Sequence, residues 1–187
     1  MPPLILASAS PRRAEILTNV GWRFEKITAD VDESIIGNET PSKYVQRLAQ
    51  LKAETVAARI ENGLVLGADT TVVIDDEILG KPIDFDEAAQ MLTKLSGRWH
   101  EVLTGVAIAE KSAKSLITKV NVQSSKVKFA EISQAEIRFL VEKGSPLDKA
   151  GAYAVQGCAA LFIEQIRGDY WNVVGLPVNL IYAMIPR

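Results

Sequence analysis

The chain has 187 residues, 48% of them hydrophobic, and a formal net charge of −2. That length fits a single domain over residues 1–187, or one α/β unit with two lobes, and the apolar share is enough for a core and speaks against global disorder. A nearly neutral chain lacks the broad positive field of a DNA or RNA binder, although a local basic pocket is compatible with it.

The only cysteine, Cys158, excludes an intramolecular disulfide; with the only histidine, His100, it also excludes zinc sites that need several Cys or His ligands. Any metal ion would rest mainly on oxygen ligands, which favours Mg2+ or Mn2+. No apolar run approaches the ~20 residues of a membrane span. Residues 1–8 superficially resemble a signal peptide but lack a basic n-region, and their apolar run is short. A cytoplasmic protein is expected, with no membrane and no nucleic-acid partner.

In chain order, residues 4–7 read as a short buried strand, followed by a turn. Ser10-Pro11 opens a helix as N-cap and first helical residue, and that helix runs to about Val20, before Gly21. Residues 23–29 read as a strand and 30–39 as an acidic, irregular loop. Thr40-Pro41 starts a longer helix with a stripe of Val45, Leu48, Ala49, Lys52, Val56 and Ile60, stopped by Asn62-Gly63. Residues 64–74 form a strand apolar on both faces, hence central. Asp75-Asp76 is a turn, and residues 77–80 return as a strand. Residues 84–87 spell a capping box for a helix to Leu95, closed by Ser96-Gly97. Residues 99–110 and 115–130 are long, paired strands. Ser133 to Glu136 is a second capping box, for a helix ended by Gly144. A short helix is expected over 148–156, a hairpin of 161–166 with 170–174 around Arg167-Gly168-Asp169, and a terminal helix over 178–185. No repeat or linker interrupts the pattern, and mixed strands and helices imply an α/β fold with long antiparallel segments.

Several segments carry residues suited to chemistry. Arg12 and Arg13 sit in the first turn of a helix, where the dipole is positive and cations are disfavoured. A bound polyphosphate would resolve the conflict through N–H groups, serine hydroxyls and two guanidinium forks; two solvated arginines are the alternative. Asp69, in Gly67-Ala68-Asp69-Thr70-Thr71, interrupts an apolar strand, where a lone carboxylate is costly. It suits a general base or a metal ligand, or it hydrogen-bonds a neighbouring loop. Gly67 permits close backbone approach or a bulge. If Asp75-Asp76 is a two-residue loop, Ile74 pairs with Glu77, and counting outward sets Lys81 opposite Thr70. Lys81 is then near Asp69, or simply a surface lysine. Asp32-Glu33 is either a solvated acidic pair or part of a Mg2+ site. Lys52 breaks an apolar stripe, which ordinary snorkelling also explains. Residues 148–157 mix small and polar residues, and Gln156 offers an amide able to read a base edge, with turn chemistry as the rival. His100 and Cys158 read as buried core side chains.

Together these segments resemble the Maf family of nucleotide pyrophosphatases. The resemblance rests on Ala7-Ser8-Ala9-Ser10-Pro11-Arg12-Arg13-Ala14-Glu15-Ile16-Leu17, Gly67-Ala68-Asp69-Thr70, Lys81-Pro82, Leu95-Ser96-Gly97, Asp148-Lys149-Ala150-Gly151-Ala152-Tyr153, Gln156-Gly157 and Val174-Gly175-Leu176-Pro177. They occur in the family's order along nearly the whole chain. The resemblance implies a two-lobed fold, similar to inosine triphosphate pyrophosphatases, with a long curved mixed sheet flanked by helices and a central cleft. It implies cleavage of nucleoside triphosphates between the α- and β-phosphates with Mg2+ or Mn2+, and a homodimer. By resemblance, Asp69 is the catalytic acid/base, and Ser8, Arg12, Arg13, Lys52 and Lys81 match phosphate-binding positions. Glu33 matches the acidic position linked to metal and catalysis, so Glu33 and Asp69 are the metal-ligand candidates. Arg12, Thr70 and Gln156 look like the set of the branch acting on dTTP, UTP and modified pyrimidine nucleotides. The alternatives are a 7-methyl-GTP or inosine/xanthosine triphosphate pyrophosphatase and a nucleotide-binding regulator of cell division.

Overall fold

The computed structural model describes residues 2–185. Seven strands form one mixed sheet: β1 (Leu4–Ala7), β2 (Phe24–Lys26), β3 (Gly63–Ile74), β4 (Glu77–Leu79), β5 (Trp99–Ser112), β6 (Ser115–Phe129) and β7 (Ile163–Arg167). Their order is β2-β1-β3-β5-β6-β7, with β4 paired to β3. The helices are α1 (Pro11–Asn19), α2 (Pro41–Ala57), α3 (Phe85–Leu95), α4 (Gln134–Lys143), α5 (Tyr170–Val174) and α6 (Val178–Met184). Among the described residues, no helix is long and apolar enough to cross a membrane.

The chain divides into two compact units. The first comprises Met1–Asp69, Thr104–Gln123 and Gly175–Arg187. Here β1 pairs in parallel with β2 and with β3, through Leu6↔Lys26 and Leu6↔Leu66. β2 is shorter than the strand expected over 23–29, because β1, with which it pairs, offers four residues. Its ladder closes with the Ile27 amide on the Leu6 carbonyl at 3.1 Å. The core under α2 is built of small side chains: Ala7, Ala49, Ala53, Val56, Val65, Ala107 and Ala109 are fully buried. Small residues let a helix lie close on a sheet, and two glycines bring it closer still. A Cβ at Gly67 would stand 2.2 Å from the Ala49 carbonyl oxygen, and one at Gly105 would stand 2.1 Å from that of Val45.

The second unit comprises Thr70–Leu103 and Ser124–Val174. The β3–β4 hairpin turns at Asp75 and Asp76, both left-handed (φ 53° and 62°), with Ile74 opposite Glu77 as its two-residue loop demands. Val72, Ile74, Leu92, Leu95, Val127, Phe129 and Leu140 form its core. The Ser133–Glu136 capping box is complete. At α3 the box is half formed: Asp84 accepts from the Glu87 amide, but Glu87 accepts from the Ile83 amide at 2.6 Å instead of from its own N-cap.

Three local expectations are corrected in this unit. Residues 148–156 do not form one helix but two 3-10 turns, Pro146–Asp148 and Ala150–Ala152, with a β-turn after them. Gly151 and Ala152 both adopt positive φ (65° and 64°), which stops helix propagation. Gly151 is pressed onto β3, where an added Cβ would lie 2.9 Å from Val72, and its amide donates to the Gly80 carbonyl. Residues 170–174 form a helical turn rather than a hairpin strand, because the Asp169 carboxylate accepts the Trp171 amide at 2.7 Å as an N-terminal cap. That turn carries Asn172 inward, where its amide donates to the Val102 carbonyl and to Ser125 Oγ. Cys158 is half-buried in a third 3-10 turn, Cys158–Phe162, rather than fully enclosed.

Candidate active site

The turn from β1 into α1 sets the first part of the site. Pro11 fixes the helix entry, Ser10 makes no side-chain cap, and no acidic residue lies in the first turn. Arg12 is half-buried there and Arg13 is buried. Arg13 Nε donates to the Gly175 carbonyl at 2.9 Å and Nη1 to Ser8 Oγ at 3.2 Å. Ser8 Oγ also accepts the Ser10 amide. The alternative of a solvated Arg13 is thereby overturned: it ties Gly175 to the β1–α1 turn. Burial pushes its guanidinium below the ordinary value, against the opposing charge of Asp69, but an arginine remains cationic.

The second part joins α2 to β3 and to the acidic loop. Lys52 is only 7% exposed and Asp69 only 8%. Lys52 Nζ lies 2.7 Å from Asp69 Oδ1 and 2.6 Å from Glu33 Oε1. Lys52 is therefore no snorkelling lysine: its ammonium stays inside, between two carboxylates. Isolated, either buried charge would cost several kcal/mol; paired and hydrogen-bonded, both are sustained. Burial pushes the Asp69 carboxyl above the ordinary carboxylate range, and the nearby charges of Lys52 and Arg13 oppose that rise. The close approach at Gly67, two residues before Asp69, sets the spacing between the helix that carries Lys52 and the strand that carries Asp69.

Ser8, Arg13, Glu33, Lys52 and Asp69 are thus linked within the first unit, with Arg12 in the adjoining helical turn. Thr70, Lys81 and Gln156 belong to the second unit. Thr70 is half-buried on β3 directly after Asp69. The hairpin arithmetic fails at its last step: the β3–β4 ladder ends at Val72↔Leu79, so Lys81 lies beyond it, exposed, instead of opposite Thr70. Gly80 turns aside there, its carbonyl taken by the Gly151 amide. Gln156 is exposed in a turn closed by the Gly157 amide on the Ala154 carbonyl. His100 is a core residue of the second unit, hydrogen-bonded through Nε2 to the Tyr153 hydroxyl at 2.7 Å, and burial lowers its pKa to about 4.

Glu33 and Asp69 on one ammonium bring two hard oxygen donors together, a donor set that suits Mg2+ or Mn2+. Among the described residues, no group of three or more His, Cys, Asp or Glu side chains is placed to hold a metal ion alone.

Three residues of this region escape sequence reasoning. Gly105 matters only through its contact with α2. Tyr44 and Arg47 hold the acidic loop, and only the opposite charges of Glu39 and Arg47, on either side of a helix start, hint at it.

The fold defines the class first. The chain shares an α/β architecture with the Ham1 protein of Staphylococcus aureus (TM-score 0.53, 14% identity, 97% of this chain and 96% of that one). The particular family follows from the sequence: the profile of the Maf-like proteins matches residues 3–187, and the chain belongs to the Maf family. It is 48% identical over 187 residues to a protein of Symbiobacterium thermophilum, covering 100% of this chain and 94% of that protein. It is 48% identical to one of a Geobacillus species, covering 100% and 98%. A Syntrophus aciditrophicus relative is 51% identical over 176 residues, covering 94% and 85%. All three are named dTTP/UTP pyrophosphatase.

Proposed function

We propose that this protein hydrolyses nucleoside triphosphates to the monophosphate and pyrophosphate, with dTTP and UTP preferred. The observation that carries the reaction is the buried Lys52–Asp69 pair, joined by the exposed Glu33 carboxylate, beside a cationic helix start. The relatives' shared name supports the choice of nucleotide.

In this reading Arg12, Arg13, Ser8 and Lys81 bind the triphosphate oxygens as charge and hydrogen-bond donors. Lys52 fixes the orientation of the Asp69 carboxylate. Asp69 takes a proton from a water whose oxygen attacks the α-phosphorus, the α–β bridging bond breaks, and pyrophosphate leaves with that electron pair. Glu33 and Asp69 would hold a divalent cation that, when bound, neutralises phosphate charge. Thr70 and Gln156 orient the nucleotide, the Gln156 amide matching the donor and acceptor edge of uracil or thymine.

The test is a panel of UTP, dTTP, 7-methyl-GTP and ITP with Mg2+ or Mn2+, resolving products and measuring kcat/KM for wild type and Gln156→Ala. UMP and pyrophosphate from UTP are expected, with pyrimidines preferred. Gln156→Ala narrows that preference by roughly tenfold to a few hundredfold. A wild type that prefers 7-methyl-GTP or ITP overturns the substrate assignment.

A further inference from the structure

The acidic loop is an unusual carrier for a carboxylate that must reach a buried lysine. Residues 30–39 contain no helix or strand, so no ladder holds the Glu33 backbone. Loops are commonly tethered by burying an apolar side chain, yet Ile35 and Ile36 here are 54% and 61% exposed. Still, Glu33 Oε1 meets Lys52 at 2.6 Å. Something else must fix it.

That restraint is polar and comes from one helix. The Tyr44 hydroxyl donates to the backbone carbonyl of Glu33 itself at 2.9 Å. Arg47 Nη2 donates to the Ser34 carbonyl at 2.9 Å, and the Arg47 fork grips Glu39 at both oxygens (Nε–Oε2 2.9 Å, Nη2–Oε1 2.5 Å). The Glu39 and Arg47 side chains are 11% and 27% exposed, so this ion pair is partly shielded from solvent. Arg47 holds the Glu39 carboxyl below its ordinary range, and Glu39 also accepts the Ile36 amide at 3.0 Å. The Arg47 guanidinium lies 5.6 Å from the Tyr44 ring centre, so the two restraints brace each other. Tyr44, Arg47 and Lys52 all project from α2. The helix that supplies the buried lysine thus also anchors the loop that supplies its second carboxylate.

We infer that Tyr44 and Arg47 are positioning residues of the hydrolytic site, acting through Glu33. Their contacts hold a loop that has no helix or strand of its own so that the Glu33 carboxylate is delivered to Lys52 before substrate arrives. The inference rests on the hydrolase reading for its kinetic consequence, and on geometry alone for the loop. A pre-placed carboxylate avoids the cost of ordering a loop during turnover.

The experiment compares wild type, Tyr44→Phe, Arg47→Lys, Glu33→Gln and the two double variants with Glu33→Gln. Tyr44→Phe removes one hydroxyl, and Arg47→Lys keeps the charge but loses the fork. Unchanged circular dichroism identifies folded variants, and Tyr44→Phe stands as the milder change if Arg47→Lys fails to fold. Each single variant should lower kcat for UTP roughly three- to tenfold with KM nearly unchanged, the usual scale of one lost hydrogen bond. In the Glu33→Gln background the same changes should have no further effect. Hydrogen exchange of amides in residues 32–39 should accelerate in both. Losses that multiply fully with Glu33→Gln, or a wild-type kcat in both singles, overturn the inference. If the wild type hydrolyses no nucleoside triphosphate, the reaction assignment fails separately. Exchange in residues 32–39 then decides the clamp alone: faster in Tyr44→Phe sustains it, unchanged refutes it.

Discussion

Gly67→Ala tests the link between fold and site, because local propensity and packing predict opposite signs. Within a strand, replacing glycine by alanine is favourable by about 0.5–1 kcal/mol, since glycine loses more entropy on folding. At Gly67 the new methyl would lie 2.2 Å from the Ala49 carbonyl oxygen, 2.8 Å from the Ala53 amide nitrogen and 2.9 Å from the Ala53 Cβ. Those atoms are helix backbone or the short stub of alanine, so none can rotate away. Restoring a contact on the order of 3.2 Å requires α2 to retreat from β3 by roughly 1 Å. Overpacking of this kind costs about 1–3 kcal/mol. In a chain of this size that lowers Tm by about 2–4 °C per kcal/mol. The same retreat draws Lys52 away from Asp69, now 2.7 Å apart. A misplacement of about 1 Å can cost on the order of 10²-fold in rate. Gly80→Ala is the control, with nothing within 4 Å of the added methyl. Urea unfolding and steady-state UTP hydrolysis of both variants provide the comparison. A Gly67→Ala protein as stable and as active as Gly80→Ala would refute the close approach as the element that sets the Lys52–Asp69 spacing.

Other outcomes follow from the same structure. His100 is buried neutral, with its pKa lowered from 6.5 to about 4, so the unfolded chain binds an extra proton between those values. Stability present above pH 6.5 is therefore lost as pH falls toward 4, by about 3 kcal/mol; urea unfolding from pH 7 to 4 should show this loss in wild type but not in His100→Gln. EDTA should abolish UTP turnover, and Mg2+ or Mn2+ should restore it; full activity of metal-free enzyme would remove Glu33 and Asp69 as ligands. Arg12→Ala should weaken triphosphate binding or turnover while leaving α1 as stable or more so, because a cation in the first turn opposes the helix dipole. Unchanged kinetics with lost stability would make Arg12 structural.

What is legible in the sequence is what local rules govern. The Ser133–Glu136 box and the Asp75-Asp76 turn carry their geometry in neighbouring residues, and both form as expected. Lys52 betrays itself as a charge in an apolar stripe, and Asp69 as one in an apolar strand, though neither position says that they meet. The failures occur where tertiary contacts decide. Residues 148–156 look helical, but Gly151 is pinned between Gly80 and Val72, far along the chain. Residues 170–174 are aromatic and β-branched enough for a strand, yet capping by Asp169 and the burial of Asn172 make a helical turn. Lys81 escapes the ladder because Gly80 bonds Gly151 instead of β3. Tyr44 and Arg47 are invisible for the same reason: their partners lie in a loop with no periodicity of its own.

The central claim is that the acid held by Lys52 cleaves the α–β bond, and product analysis of the Asp69→Asn protein tests it most directly. Phosphorus NMR of UTP incubated with Mg2+ distinguishes pyrophosphate from orthophosphate, and circular dichroism verifies the fold. Wild type should yield UMP and pyrophosphate only, and folded Asp69→Asn should yield the same products at a rate lower by roughly 10²–10⁴. UDP with orthophosphate from the wild type, or near-normal turnover by folded Asp69→Asn, would contradict the claim.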